Sequence, residues 1–433
     1  MKGIFNITRV SVLFLLAGSF LSFSYSKEDK EAILYQEITS DLEGNILPFW
    51  KKYAADPTGG FYGELTYDGS PVAGADKGCV LNARILWTFS AAARLLGDDE
   101  SLQLANRAQR YFIDHFIDKE QGGAYWSLLA DGTPKDTDKQ TYGIAFAIYG
   151  LSEHFRATQN RESLDQAIGL YRCLEAHAFD PEYGGYIESF TRDWQKPERY
   201  GYDGAGVAVK TMNTHIHVLE AYTNLYRAWK DEGLHRQLKA LTEVLINRIY
   251  DPRTHHQMLF FNREWQSLED IDSYGHDIET SWLLTEAAEV LGDAELLSRT
   301  KKIAIDLVDT QMKKGMNPDG SLIYERNGDH FRRDLQWWCQ AESVNGLLNA
   351  WRISGDGKYL EAAVHTWNWI KDNMIDRKYG EWYSFVSEEG KADVHGLKAS
   401  LWRCPYHNSR MGLEIIGRTE TGDREPETGG QKK

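Results

Sequence analysis

Cysteine is scarce in this chain, with 4 in 433 residues. Cys79, Cys173, Cys339 and Cys404 lie far apart and form no Cys-x-x-Cys pair, which argues against a structural zinc site. Each sits among apolar or aromatic residues, so four buried free thiols are expected. Basic residues are outnumbered: 49 Lys and Arg face 64 Asp and Glu, for a net charge of −15. A phosphate-backbone partner needs clustered cations, so no nucleic-acid partner is expected. No His-Glu-x-x-His occurs, and neither His255-His256 nor the His215/His217 pair has the spacing of a helical zinc site. No metal is expected. Beyond the first thirty residues no apolar run is long enough to suggest a membrane span.

The N-terminus does carry an apolar run. Lys2 and Arg9 precede Val10 to Phe23, and small residues follow from Ser22 to Ser26. This is the layout of an export signal, so residues 1–26 are expected to be removed and the mature protein to be periplasmic. At the other end, residues 419–433 are rich in Gly, Glu, Thr and Lys without apolar anchors, and a disordered tail is expected.

Between these ends a Gly-aromatic element recurs about every 60 to 70 residues, the mark of a repeat architecture. Gly59-Gly60-Phe61-Tyr62, Gly122-Gly123-Ala124-Tyr125-Trp126 and Gly184-Gly185-Tyr186 are its clearest copies. Weaker ones start at His256, Gly320 and Tyr379, and Asp or Asn often stands just before, a turn leading into a short strand. Two helical patterns separate successive copies: 82–95 with 102–118, 140–157 with 162–178, 212–231 with 233–250, 276–291 with 294–313, and 338–353 with 357–374. Helices at 31–54 and 398–417 complete the set. The expected fold is all-α: an (α/α)6 barrel of six helical hairpins over residues 27–418, with short β-strands at one rim. Polar residues in the first turns of the inner helices would then face a central pocket.

Three segments at such helix starts combine polar and aromatic residues: Met212 to Glu220, Ser273 to Thr280, and Leu401 to Asn408. His276 and Glu279 are three apart and share a helix face, as do His217 and Glu220; Asp277 points elsewhere. His215 and His217 lie on nearly opposite sides. One such histidine beside an apolar run is usually a satisfied core group. Three segments on three inner helices make a site the better reading.

The strings Met212-Asn213-Thr214-His215-Ile216-His217, Gly275-His276-Asp277-Ile278-Glu279, Trp337-Trp338-Cys339-Gln340-Ala341-Glu342 and Trp402-Arg403-Cys404-Pro405-Tyr406-His407-Asn408 resemble the N-acylglucosamine 2-epimerase superfamily. The last string looks like its cellobiose 2-epimerase branch in particular. The resemblance covers roughly residues 35–417. It implies that His407 and His276 exchange the proton at carbon 2 of an opened sugar from opposite faces. Arg84, Asn213 and His217 would hold sugar oxygens and assist ring opening, and Tyr142 and Glu325 would bind further hydroxyls. Trp338 and Trp402 would be platforms for sugar rings, with Trp337 able to exchange roles with Trp338. Glu279 would orient or tune His276. The implied substrate is a β-1,4-linked disaccharide such as cellobiose, the implied state a monomer.

The chemistry suits imidazole, whose unperturbed pKa of about 6.5 lets it serve as base and acid near neutrality. The enediolate intermediate needs a fixed donor for its negative oxygen, and Arg84 is the best candidate. The substrate's own carbonyl acidifies the proton, so no cofactor is expected. A competing reading is an exported hydrolase or lyase. Inverting hydrolysis needs carboxylates roughly 6.5–9.5 Å apart with room for water, and Asp277 and Glu279 diverge on a helix. A non-catalytic sugar binder would keep the tryptophans but has no need for His276 and His407.

Overall fold

A computed structural model describes residues 26–201 and 206–420. The expected signal peptide, apart from Ser26, and the expected tail from residue 421 onward lie outside the described residues. In chain order the helices are α1 (Lys27–Asp41), α2 (Leu47–Tyr53), α3 (Cys79–Leu96), α4 (Asp99–Tyr111) and α5 (Thr141–Thr158). They continue as α6 (Arg161–Cys173), α7 (Met212–Ala228), α8 (Glu232–Val244), α9 (Tyr274–Leu291) and α10 (Ala294–Lys314). The last are α11 (Trp337–Ser354), α12 (Gly357–Asn373) and α13 (Tyr406–Glu420).

The ring closes through the odd-numbered helices. α3 packs on α5, α5 on α7, α7 on α9, α9 on α11, α11 on α13, and α13 returns to α3. Each also packs on an outer partner: α4, α6, α8, α10 and α12 in turn, and α1 against α13. This is the expected (α/α)6 barrel.

Burial explains which helices went where. In α5 every residue from Thr141 to His154 is buried, as suits a helix enclosed on all sides. Its outer partner α6 buries only Ser163, Leu164, Ala167, Ile168, Leu170 and Tyr171, a single stripe. The Gly-Asp turns do two jobs at once. Gly97 ends α3 in the left-handed conformation at φ 64°, and Asp98 then caps α4 by accepting from the amides of Glu100 and Ser101. Gly292-Asp293 and Gly355-Asp356 repeat this between later partners.

The Gly-aromatic copies build the rim. Short antiparallel pairs join each strand that precedes an inner helix to the next repeat: 77–78 to 127–128, 139–140 to 189–190, 210–211 to 260–261, 271–273 to 325–327, and 335–336 to 385–386. A bridge from Leu65 to Ala399 closes this second ring. Glycine is required at Gly185, where φ is 76° and a Cβ would come within 2.5 Å of Trp265 and 2.6 Å of His215.

The aspartates ahead of the copies are more than turn residues. Asp56, Asp118, Asp180 and Asp376 each receive a buried lysine from the strand or loop leading to the inner helix, at 2.7, 2.8, 2.9 and 2.9 Å from Lys77, Lys139, Lys210 and Lys398. Sequence reading found the aspartates and missed the lysines.

Several expectations change. The helix expected over 398–417 begins only at Tyr406, because Pro405 disfavours helix in the residue before it and Arg403 is drawn onto Glu381. The outer helices expected as 31–54, 102–118, 162–178 and 233–250 each contain a five-residue π-helical turn, at 42–46, 112–116, 174–178 and 245–249. α7 ends at Ala228 rather than 231, and α13 runs to Glu420, past the expected start of the tail. All four cysteines are free as expected, though Cys173 is only half-buried. Among the described residues no helix is long and apolar enough to cross a membrane.

Removing one partner of a buried ion pair leaves an uncompensated charge, at a cost of about 3–5 kcal/mol. Lys398→Met should therefore lower the denaturant midpoint markedly, since Asp376 loses its buried cation and the Trp382 carbonyl one of its two donors. An unchanged midpoint in chemical denaturation would refute this role.

Candidate active site

The starts of the inner helices hold most of the expected site residues. His276 lies in the first turn of α9 and Glu279 one turn on; Trp338 opens α11; His407 opens α13; Asn213 opens α7, with His217 one turn on. Tyr142 opens α5, and Arg84 is in the second turn of α3. Trp402 sits in the loop before α13, half-buried.

The Trp338 ring stands beside both principal histidines. Its centroid is 4.7 Å from that of His276 and 5.5 Å from that of His407. Trp337 turns aside, is buried, and stacks under the Arg403 guanidinium at 4.6 Å. The two tryptophans are thus distinguished, and Trp338 is the one between the histidines.

His407 and His217 are held alike. His407 Nδ1 is 2.7 Å from Glu342 Oε1, and His217 Nδ1 is 3.0 Å from Glu220 Oε2. His276 differs: its Nδ1 is 2.6 Å from the Ser273 hydroxyl. The expected pairing of Glu279 with His276 is therefore not formed. Although three residues apart on one helix, Glu279 extends toward the barrel axis, where Arg410 donates to it.

Arg410 organises this centre. From α13 it donates to Glu220 of α7, Glu279 of α9, Glu342 of α11 (the last at 2.6 Å) and to Tyr406. It is fully buried, as are Glu279 and Glu342. Glu279, Glu342 and His407 bring ligand atoms within 4.8 Å of one another, a spacing that could hold a metal ion. The Arg410 guanidinium already supplies a cation to both carboxylates.

Arg84 is pinned between two rings, 4.2 Å from Phe146 and 4.5 Å from Tyr406, and donates to the Tyr142 hydroxyl at 2.9 Å. It also reaches the carbonyl of Trp402 at 3.4 Å. Tyr142 in turn meets Trp402 and His217 at 5.6 and 5.0 Å between ring centroids. Eight of the ten expected site residues thus occupy the first two turns of the inner helices, Trp402 lies in the loop before α13, and Glu325 lies on the rim. It lies on a strand opposite Ser273, its carboxylate bound by Arg332 at 2.8 Å.

Sequence reading missed Glu342, Arg410 and Ser273 as site groups, although Glu342 ended a quoted motif. The signal was present in the spacing. Glu342 is four residues past Trp338 and Arg410 three past His407, each an ionisable residue one turn beyond a residue of the quoted motifs and on the same helix face.

The electrostatics follow from burial. Burial, then the positive charges of His217 and Arg84, hold the His276 imidazole far below its usual pKa. His407 is lowered likewise, by burial and then by Arg84 and Arg410. Burial works to raise Glu220, yet Arg410, His217 and Tyr406 outweigh it and hold the carboxyl at about 2. Glu279 goes the other way: burial and the neighbouring Glu342 push it up to about 7.

The sequence profile of the N-acylglucosamine 2-epimerase (GlcNAc 2-epimerase) family matches residues 60–408. The chain belongs to this family. Within it, a cellobiose 2-epimerase of Bacteroides fragilis is 47% identical over 89% of this chain and 100% of its own length. One from Ruminococcus albus is 40% identical over 89% of this chain and 99% of its own. The solved structure of cellobiose 2-epimerase from Bacillus thermoamylovorans superimposes with a TM-score of 0.85 at 40% identity, covering 89% of this chain and 100% of that one. These similarities place the chain in the cellobiose 2-epimerase branch.

The raised Glu279 carboxyl makes a signed prediction. A Glu side chain titrates near 4.3 when unfolded, whereas the native protein holds this proton up to about 7. Its contribution to stability is then complete below about pH 4 and lost as the pH rises through about 7. Glu279→Gln keeps a neutral group, so its stability relative to the parent should increase between about pH 5 and pH 8. Parallel pH–stability curves for the two proteins would contradict this.

Proposed function

We propose that this protein is an isomerase that interconverts the carbon 2 configuration of the reducing-end sugar of β-1,4-linked disaccharides such as cellobiose. The observation that carries the mechanism is the placement of Trp338 beside both His276 and His407, each held through Nδ1 so that Nε2 remains for substrate.

After ring opening, assisted by Asn213 and His217, one imidazole removes the proton from carbon 2. The electron pair moves into the bond between carbons 1 and 2, and negative charge develops on the carbon 1 oxygen. Arg84, fixed between two aromatic rings, is the donor for that charge. The opposite imidazole then delivers a proton to the other face of carbon 2. Burial and Arg84 favour neutral imidazole at both histidines, the form a base needs. The enediolate itself supplies the negative charge that favours imidazolium on the acid. Trp338 and Trp402 serve as platforms for the two sugar rings. No redox or group-transfer step is involved, so no cofactor is called for.

The hydrolase reading is not favoured. Asp277 is committed to His256 and Gln311, at 2.6 and 3.0 Å, and Glu279 to Arg410. The protein is proposed to act as a monomer. Residues 1–26 direct export to the periplasm on this reading.

Cellobiose incubated with the protein in heavy water should acquire deuterium at carbon 2 and yield glucosyl-mannose. Release of free glucose would make the protein a hydrolase, and neither change would make it a binder. His407→Asn and His276→Asn should each lose about 10²–10⁴-fold in rate, the usual worth of a positioned acid or base. Near-normal turnover in both variants would defeat the two-histidine mechanism.

Export has its own check. Mass spectrometry of the native protein should find a mature N-terminus near Lys27 in the periplasmic fraction; an intact Met1 in the cytosol would overturn it.

A further inference from the structure

Ser273 stands at the N-cap of α9, with extended dihedrals of φ −103° and ψ 99°. A serine there normally accepts from an amide of the first helical turn. Thr211 does so at the start of α7, accepting from the Thr214 amide at 3.1 Å. Ser273 makes no such bond. Its hydroxyl, 2.6 Å from His276 Nδ1, is given to the histidine instead. The backbone beneath it is pinned by strand pairing to Glu325, and the residue is 2% exposed.

We propose that Ser273 is the positioning residue of His276, fixing the ring so that Nε2 faces the substrate in both directions of the reaction. The assignment rests on the epimerase reading above. A hydroxyl accepts from Nδ1–H in both the neutral base and the imidazolium, so the same contact serves both roles. It does so without a charge. His407 and His217 have carboxylates in this place, Glu342 and Glu220, which stabilise the protonated ring. Ser273 therefore holds the orientation of His276 without placing a charge beside its Nδ1. The charged and titratable groups around it are His217 of α7, Arg84 of α3, His407 of α13 and Glu325 on the paired strand.

Ser273→Ala removes the hydroxyl without removing a helix cap, so thermal stability should be close to the parent's. Outer partners of a functional histidine are typically worth about 10–100-fold, and kcat on cellobiose should fall by that much with KM little changed. The limb of the pH–rate profile belonging to His276 should shift, and Ser273→Thr should restore rate and profile. Parental turnover in Ser273→Ala would overturn the proposal. So would equal losses in both variants with an unshifted profile, which mark a merely structural residue. Carbon 2 deuteration by the parent is measured alongside; its absence would defeat the epimerase reading, whereas its presence with a parental Ser273→Ala defeats only this one.

Discussion

The centre of this barrel depends on one guanidinium. Arg410 is fully buried and bonded to carboxylates from three other inner helices, Glu220, Glu279 and Glu342. Each of those charges would be costly alone in a barrel core. Arg410 makes them tolerable, and in doing so ties α7, α9, α11 and α13 together at one level. Two of the carboxylates then have an oxygen available for Nδ1 of a histidine, Glu220 for His217 and Glu342 for His407. The orientation of two imidazoles is a consequence of how one arginine satisfies its neighbours.

The rim solves a different problem by repetition. Each turn after an outer helix must bring the chain back into an inner helix, and four of the six do so with an aspartate clamped by a buried lysine. The repeat beside His276 departs from this rule. Where a lysine precedes α3, α5 and α7 by two residues, Asp272 precedes α9, and it is neutralised by Arg326. Asp277 there takes His256, the Gln257 amide and Gln311 instead. The departure lies directly under the first turn that carries Ser273 and His276, so the most regular part of the fold is altered where the chemistry is placed.

Periodicity made the barrel legible. Apolar helices in pairs, Gly-Asp turns between partners and a Gly-aromatic element between pairs specify hairpins that have to close on themselves, and they do. The start of α13 was missed because Lys398 and Arg403, inside the expected helix, are drawn into ion pairs with Asp376 and Glu381. In the site, helix-start position picked out the segments of His217, His276 and His407, and the family resemblance added Trp338 and Arg84. Helix position could not pick out partners. His276 and Glu279 share a face by spacing, yet which neighbour each meets is decided by Arg410, a residue from another helix more than a hundred positions away. Glu325 and Glu342 were equally acidic in sequence, and only packing separates a rim carboxylate bound by Arg332 from one that holds His407.

The charge balance of the centre explains why Glu279 behaves unlike its neighbours. Three carboxylates surround one guanidinium, and Glu279 Oε2 is buried without a hydrogen-bond partner among the described residues. Glu220 is supported by Arg410, Tyr406 and His217, and Glu342 by Arg410, Trp282 and His407. Glu279 has Arg410 alone, so it is the one whose ionised form is least favoured. Protonation of Glu279 lowers the negative charge gathered around Arg410, which also faces Glu220 and Glu342. On the proposed mechanism, an enediolate forming nearby would be opposed by an ionised Glu279 and less so by a protonated one. On that mechanism, the acid whose carboxylate holds no histidine would act through the charge it withholds.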